Sequence, residues 1–125
     1  MTKTYRILSI EDDQDLFALI QIILKELPVT MRRAGTGEEA LALIAEARPD
    51  LVLLDLALPD MRGWDVLDRA AANGNLDGVP VVVLTSHSEL PHRVVGKMQE
   101  VAAYIRKPFT PADLRDSVRR LLGLS

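Results

Sequence analysis

The sequence predicts an α/β fold: a doubly wound, five-stranded parallel sheet with helices on both faces. Three observations predict it. Strand-like and helix-like segments alternate strictly along the 125 residues. The best strand candidates are unbroken apolar runs, as expected where both faces of a sheet are covered. Three of the helical stretches also open on recognisable caps. Strict alternation implies parallel strands joined by right-handed crossovers.

The elements follow in order. Tyr5–Ile10 reads as a short apolar strand. Asp13–Leu27 is a helix, with Leu16, Leu19, Ile20, Ile23, Leu24 and Leu27 forming one apolar stripe, Asp13 as its N-cap and Pro28 as its stop. Val29–Arg33 is a weaker strand, diluted by two arginines. Thr36-Gly37-Glu38-Glu39 has the form of a capping box, and the helix it opens ends near Arg48-Pro49. Asp50–Leu54 is apolar after its first residue, and a loop over Leu56–Arg62 leads to a helix from Gly63 to Asn73. Val79–Leu84 is the next buried strand. An irregular fourth helix lies between Ser88 and Gln99, with Pro91 in its first turn and Gly96 in its middle. Ala102–Arg106 is the fifth strand. Thr110-Pro111-Ala112-Asp113 then starts the last helix with an N-cap, a proline and an acid, and Gly123 ends it after Leu114, Val118, Leu121 and Leu122.

Composition narrows the function. A length of 125 residues, with 48% hydrophobic and 26% charged residues, suits one globular domain spanning residues 1–125. The absence of cysteine excludes a disulfide framework, a thiolate metal site and a cysteine nucleophile, and fits a cytoplasmic protein. No apolar run is long enough for a membrane span, and the N-terminus lacks the apolar core of a signal peptide. A net charge of −3 argues against direct nucleic-acid binding. Arg115, Arg119 and Arg120 share their helix with Asp113 and Asp116, the pattern of a solvated face.

The chemistry sits at the carboxyl ends of the strands, where ligands bind in such folds. Strand one ends in Glu11-Asp12-Asp13, strand three in Asp55, strand four in Thr85-Ser86 and strand five in Lys107-Pro108. Converging carboxylates resist ionisation unless a cation compensates. An all-oxygen donor set suits Mg²⁺, which takes one or two carboxylates and bridges to phosphate. Asp55 is then a candidate nucleophile toward a phosphoryl donor. The metal, Lys107 and the Thr85 hydroxyl are placed to balance charge on the transferring oxygens.

Four stretches now resemble the response-regulator receiver family, across essentially the whole chain. They are Ile7–Asp13, Leu53–Gly63, Val82–Ser86 and Tyr104–Phe109. The resemblance implies a flavodoxin-like (β/α)5 sheet in the order 2-1-3-4-5. It implies Asp55 as phosphoacceptor, Asp12 as direct Mg²⁺ ligand, Glu11 as ligand through water, and the Ala57 backbone carbonyl in the same metal shell. Thr85 matches the switch hydroxyl, Lys107 its ionic partner and Tyr104 the aromatic switch residue, and Lys107-Pro108 is expected cis. Ser86, where the family usually has a smaller residue, adds a phosphate contact in this reading. The partners implied are a sensor histidine kinase or histidine phosphotransfer protein and an unidentified downstream protein. That downstream protein would be met through the fourth helix, fifth strand and fifth helix, with dimerisation on activation left open. Were the chain complete at Ser125, output would come through docking alone.

Glu100 and Val101 replace the family's frequent Gly-Ala pair, which puts the geometry of the output face in question. His87 and His92 are too poorly spaced for a metal pair, and His87 reads as a loop residue near the site. Trp64 reads as packing at the start of the third helix, and Met31, Met61 and Met98 as gap fillers. A haloacid-dehalogenase-type phosphatase would need an acid where Ala57 stands. A nucleotide-binding module would need a glycine-rich phosphate loop, and none follows a strand. A phosphorylation-independent interaction domain of the same fold is the remaining alternative.

Overall fold

A computed structural model describes residues 3–85 and 101–124. Among these residues five strands and four helices are present: β1 (Tyr5–Ile10), α1 (Gln14–Ile23), β2 (Val29–Ala34), α2 (Gly37–Glu46), β3 (Leu51–Asp55), α3 (Gly63–Ala72), β4 (Val81–Thr85), β5 (Ala103–Arg106) and α4 (Pro111–Leu121). The expected helix between Ser88 and Gln99, with Pro91 and Gly96, lies outside the described residues. So do Ser86, His87, His92, Met98 and Glu100.

All four strand pairings are parallel, and the sheet order is β2-β1-β3-β4-β5. The doubly wound fold and its expected strand order are therefore present. β3 and β4 are buried at every position, which is why they read as continuous apolar runs. Alternation along the strands divides the core into two layers. Leu8, Ile10, Val52, Leu54, Val81 and Val83 face α2 and α3, together with Trp64. Ile7, Leu51, Leu53, Val82, Leu84 and Ile105 face α1 and α4.

Several boundaries shift for identifiable reasons. Helix α1 stops at Ile23, four residues short of the expected Leu27. Lys25 N–H then bonds Ile22 O and Leu27 N–H bonds Leu24 O, a tightened exit that turns the chain back onto β1. Pro28 O then receives Tyr5 N–H at 2.9 Å. Strand β4 starts at Val81, not Val79, because Pro80 has no N–H to give the ladder; its carbonyl still accepts from Val52 at 3.0 Å. β2 runs one residue further, to Ala34, and β3 is displaced by one, so that Asp55 is its last residue.

The caps mostly form as expected. Asp13 accepts from Asp15 and Leu16 N–H, and Thr110 from Asp113 N–H. Thr36 accepts from Glu39 N–H, but Glu39 reaches back to Gly35 N–H rather than to Thr36. The Lys107-Pro108 peptide bond is cis.

Gly63 is where the fold leaves no room. A Cβ there would come within 2.8 Å of the Asp55 carbonyl oxygen and 2.9 Å of Leu56 Cα. Alanine is the better helix former, yet Gly63→Ala should destabilise the domain by roughly 1–3 kcal/mol through this overpacking. Urea denaturation checks it, and a neutral or stabilising result would show that the backbone yields.

Candidate phosphoacceptor and metal site

Register assembles the site. Ile10 pairs with Leu54, so Glu11 emerges level with Asp55; Asp55 pairs with Leu84, and Thr85 with Arg106, one residue before Lys107. The ends of β1, β3, β4 and β5 therefore meet at one edge, as the sequence predicts. Oxygens of Glu11, Asp12 and Asp55 all lie within 4.8 Å of one another. Glu11 and Asp55 are buried and Asp12 is exposed, so the cluster opens to solvent on one side. Asp13 is not part of it, because its carboxylate caps α1.

One cation answers these charges. Lys107 Nζ donates to Asp55 Oδ2 at 2.8 Å and stands 3.9 Å from Glu11 Oε2. The other Asp55 oxygen accepts Ala57 N–H at 2.9 Å. Glu11 Oε1 accepts Asp13 N–H at 3.1 Å, while its buried Oε2 has no hydrogen-bond partner. A buried acceptor left without a donor is costly. Here it points to a missing positive group of the kind a hard cation provides. The donor chemistry fits Mg²⁺: carboxylate oxygens only, one side open to water.

The two buried acids divide their roles electrostatically. Glu11 is pushed up from 4.5 to about 8, by burial first and then by the adjacent Asp55 carboxylate. Burial also works to raise Asp55, but its interactions with Glu11, Lys107 and the Ala57 N–H outweigh this and hold it below 3.8. Without metal, these shifts favour the proton on Glu11 and the ionised form of Asp55.

Thr85 is fully buried at the end of β4, and its carbonyl accepts Lys107 N–H at 2.8 Å. By alternation it continues the row Val81, Val83, on the layer that holds Tyr104 and Trp64. The Tyr104 and Trp64 rings lie 6.2 Å apart at 44°. Trp64 is buried at the start of α3, as expected. Ser86 lies outside the described residues, and Ala57 is an exposed residue of the β3–α3 loop.

Two participants escape the sequence reading. Arg33 Nη1 donates to Glu11 O at 2.9 Å, bracing β1's end from β2. Asp60 Oδ1 and Oδ2 accept Gly37 and Glu38 N–H at 2.8 and 3.0 Å. These amides, with Gly37 the stronger contribution, hold the Asp60 carboxyl below its ordinary range. No local motif signals either contact, since the partners lie 22 or 23 residues apart in sequence.

Comparison with known proteins agrees with this geometry. The response regulator receiver domain model matches residues 7–119, and the chain belongs to that family. It is 40% identical over 121 residues to the DNA-binding response regulator MtrA of Mycobacterium tuberculosis, covering 97% of this chain and 52% of MtrA. It is 36% identical to the transcriptional regulatory protein SilR of Salmonella typhimurium over 94% of this chain and 50% of SilR. The chain thus spans about half the length of these relatives. Among solved structures, the CheY-like receiver domain protein of Methanospirillum hungatei superposes with a TM-score of 0.85 at 26% identity, covering 94% of each chain. The receiver domain of NtrX from Brucella abortus gives 0.81 at 29%, covering 95% and 99%. Among the described residues no helix is long and apolar enough to cross a membrane.

The Glu11 shift has a consequence for stability. Its folded pKa exceeds its unfolded one, so its contribution is fully present below about pH 4.5 and is lost as pH rises through about 8. In chelator, the wild type should lose stability between about pH 5 and 9, and Glu11→Gln should flatten that slope. Urea midpoints across this range test it; equal slopes would remove the proton from Glu11.

Proposed function

We propose that this domain is a phosphoacceptor of two-component signalling, taking a phosphoryl group onto Asp55 in a Mg²⁺-dependent reaction. The observation that carries the reading is the Asp55 carboxyl group held 2.8 Å from Lys107 Nζ, with Glu11 and Asp12 oxygens beside it. Glu11, Asp12, Asp55 and the Ala57 carbonyl are the groups that would hold the ion. Bound there, Mg²⁺ would neutralise charge on the transferring phosphoryl oxygens.

The residues divide the remaining work. An Asp55 carboxylate oxygen bonds to phosphorus as the bond from phosphorus to the donor imidazole breaks, leaving an acyl phosphate and the donor histidine. The imidazole comes from a sensor histidine kinase or a histidine phosphotransfer protein. Lys107, already paired with Asp55, stays beside the new phosphoryl charge. The Thr85 hydroxyl contributes a further donor, Ser86 a contact beyond it, and Tyr104 follows Thr85 within the shared layer. The added charge of roughly −1.5 to −2 is large enough to bias such a two-state element.

The domain is an acceptor rather than a turnover enzyme, because Ala57 offers no proton to an alcohol leaving group. Its output passes to another protein through the Ser88–Gln99 segment, β5 and α4. It resides in the cytoplasm. MtrA is a DNA-binding regulator, but the segment matched here, with a net charge of −3, is read as the part that touches protein rather than nucleic acid.

Intact mass after incubation with acetyl phosphate should show one phosphoryl adduct that needs Mg²⁺ and is absent from Asp55→Asn. A folded wild type with no adduct, beside a working control receiver, would favour a phosphorylation-independent interaction domain. Asp12→Ala should weaken Mg²⁺ binding by at least about tenfold, read from the emission of Trp64, the single tryptophan. Lys107→Ala should reduce partner capture after phosphorylation far more than it reduces Mg²⁺ binding. Undiminished capture would argue against the ionic-partner role.

A further inference from the structure

The loop between β3 and α3 is restrained at three levels. At its base, Ala57 N–H bonds Asp55 Oδ1 and Gly63 N–H bonds Leu56 O, both at 2.9 Å. Above that, Ala57 and Arg62 pair as an isolated antiparallel bridge that pinches the loop closed. The tip is then tied to a different helix. Asp60 takes the Gly37 and Glu38 N–H groups, two of the four that the first turn of α2 leaves without helical acceptors.

Neighbouring contacts reinforce the tie. Met61 packs so closely on Gly37 that a Cβ there would collide with Met61 Cγ. Arg69 of α3 reaches Glu38 of α2 at 3.4 Å. Thr36 caps the same helix through Glu39 N–H but makes no bond to the loop. Ala57 itself is exposed and its methyl group cannot anchor it, so the position of its backbone is set by its N–H bond to Asp55, the pinch and the tip.

We infer that Asp60 is a positioning residue for the metal site: its two bonds to α2 fix the loop that carries Ala57, whose carbonyl would join Glu11, Asp12 and Asp55 around the ion. The inference rests on the phosphoacceptor reading of that site. Asp60 is exposed, with its bond to Glu38 at the surface and its bond to Gly37 only part-buried, so its removal should loosen the loop without emptying the core.

Calorimetric Mg²⁺ titration of the wild type, Asp60→Ala, Asp60→Asn and Thr36→Val tests it, with circular dichroism confirming the fold. Asp60→Ala should weaken Mg²⁺ binding by about tenfold, the scale of losing an outer-shell support. Asp60→Asn keeps one acceptor oxygen and should fall between. Thr36→Val weakens the same helix end without touching the loop and should bind as the wild type does. Should Asp60→Ala fail to fold, Gly37→Ala displaces Met61 and the tip from the other side and should reproduce the loss. Wild-type affinity in Asp60→Ala, or an equal loss in Thr36→Val, would overturn the positioning role alone. A wild type that binds no Mg²⁺ would overturn the phosphoacceptor reading and this inference with it.

Discussion

The ion pair between Asp55 and Lys107, 52 residues apart in sequence, is the contact on which the site depends. It sits where four parallel strands end, in a sheet whose central members are buried on both faces. Buried ion pairs are weak sources of net stability, because desolvation offsets much of the attraction. Removing one partner is costly all the same, since it leaves an uncompensated buried charge. The pair therefore makes the strand ends interdependent: β3 supplies the buried acid and the residue after β5 the part-exposed ammonium that compensates it.

That pair leaves a charge imbalance, and the imbalance explains the rest of the pocket. Three carboxylates face one ammonium. The protein's own resolution is a proton on Glu11, whose burial beside Asp55 raises its pKa to about 8. A divalent cation bound there would resolve it differently, displacing that proton and supplying the partner that Glu11 Oε2 lacks. The same geometry holds the Asp55 carboxyl below its ordinary range and 2.8 Å from Lys107 Nζ.

Around this centre the structure separates support from response. Gly63 and the pinched β3–α3 loop hold Asp55 from one side, packed so tightly that a methyl group has no place. Thr85, Tyr104 and Trp64 belong to the layer against α2 and α3, and the Trp64–Tyr104 contact connects the start of α3 to the edge strand β5. The chain belongs to the receiver family and spans about half the length of the relatives it matches.

The sequence by itself determined the elements and their class. The alternation of segments, the apolar runs at Leu51–Leu54 and Val81–Leu84, and the caps at Asp13, Thr36 and Thr110 are local signals, and the structure carries them. The acidic triplet, Asp55, Thr85 and Lys107 were legible too, because a parallel topology sends every strand's carboxyl end to one edge. Boundaries were less so: Pro80 shortens β4, and the turn after Ile23 shortens α1 to let the chain rejoin Tyr5. Only the tertiary structure decided which charges meet. Strand register brought Lys107 to Asp55 and set Glu11 beside it, where burial raises the Glu11 pKa. It also carried Asp60 to α2 and Arg33 to Glu11, contacts between residues that are distant in the chain. Distances across a sheet and the burial of a carboxylate are properties of the packed chain, and no window of neighbouring residues contains them.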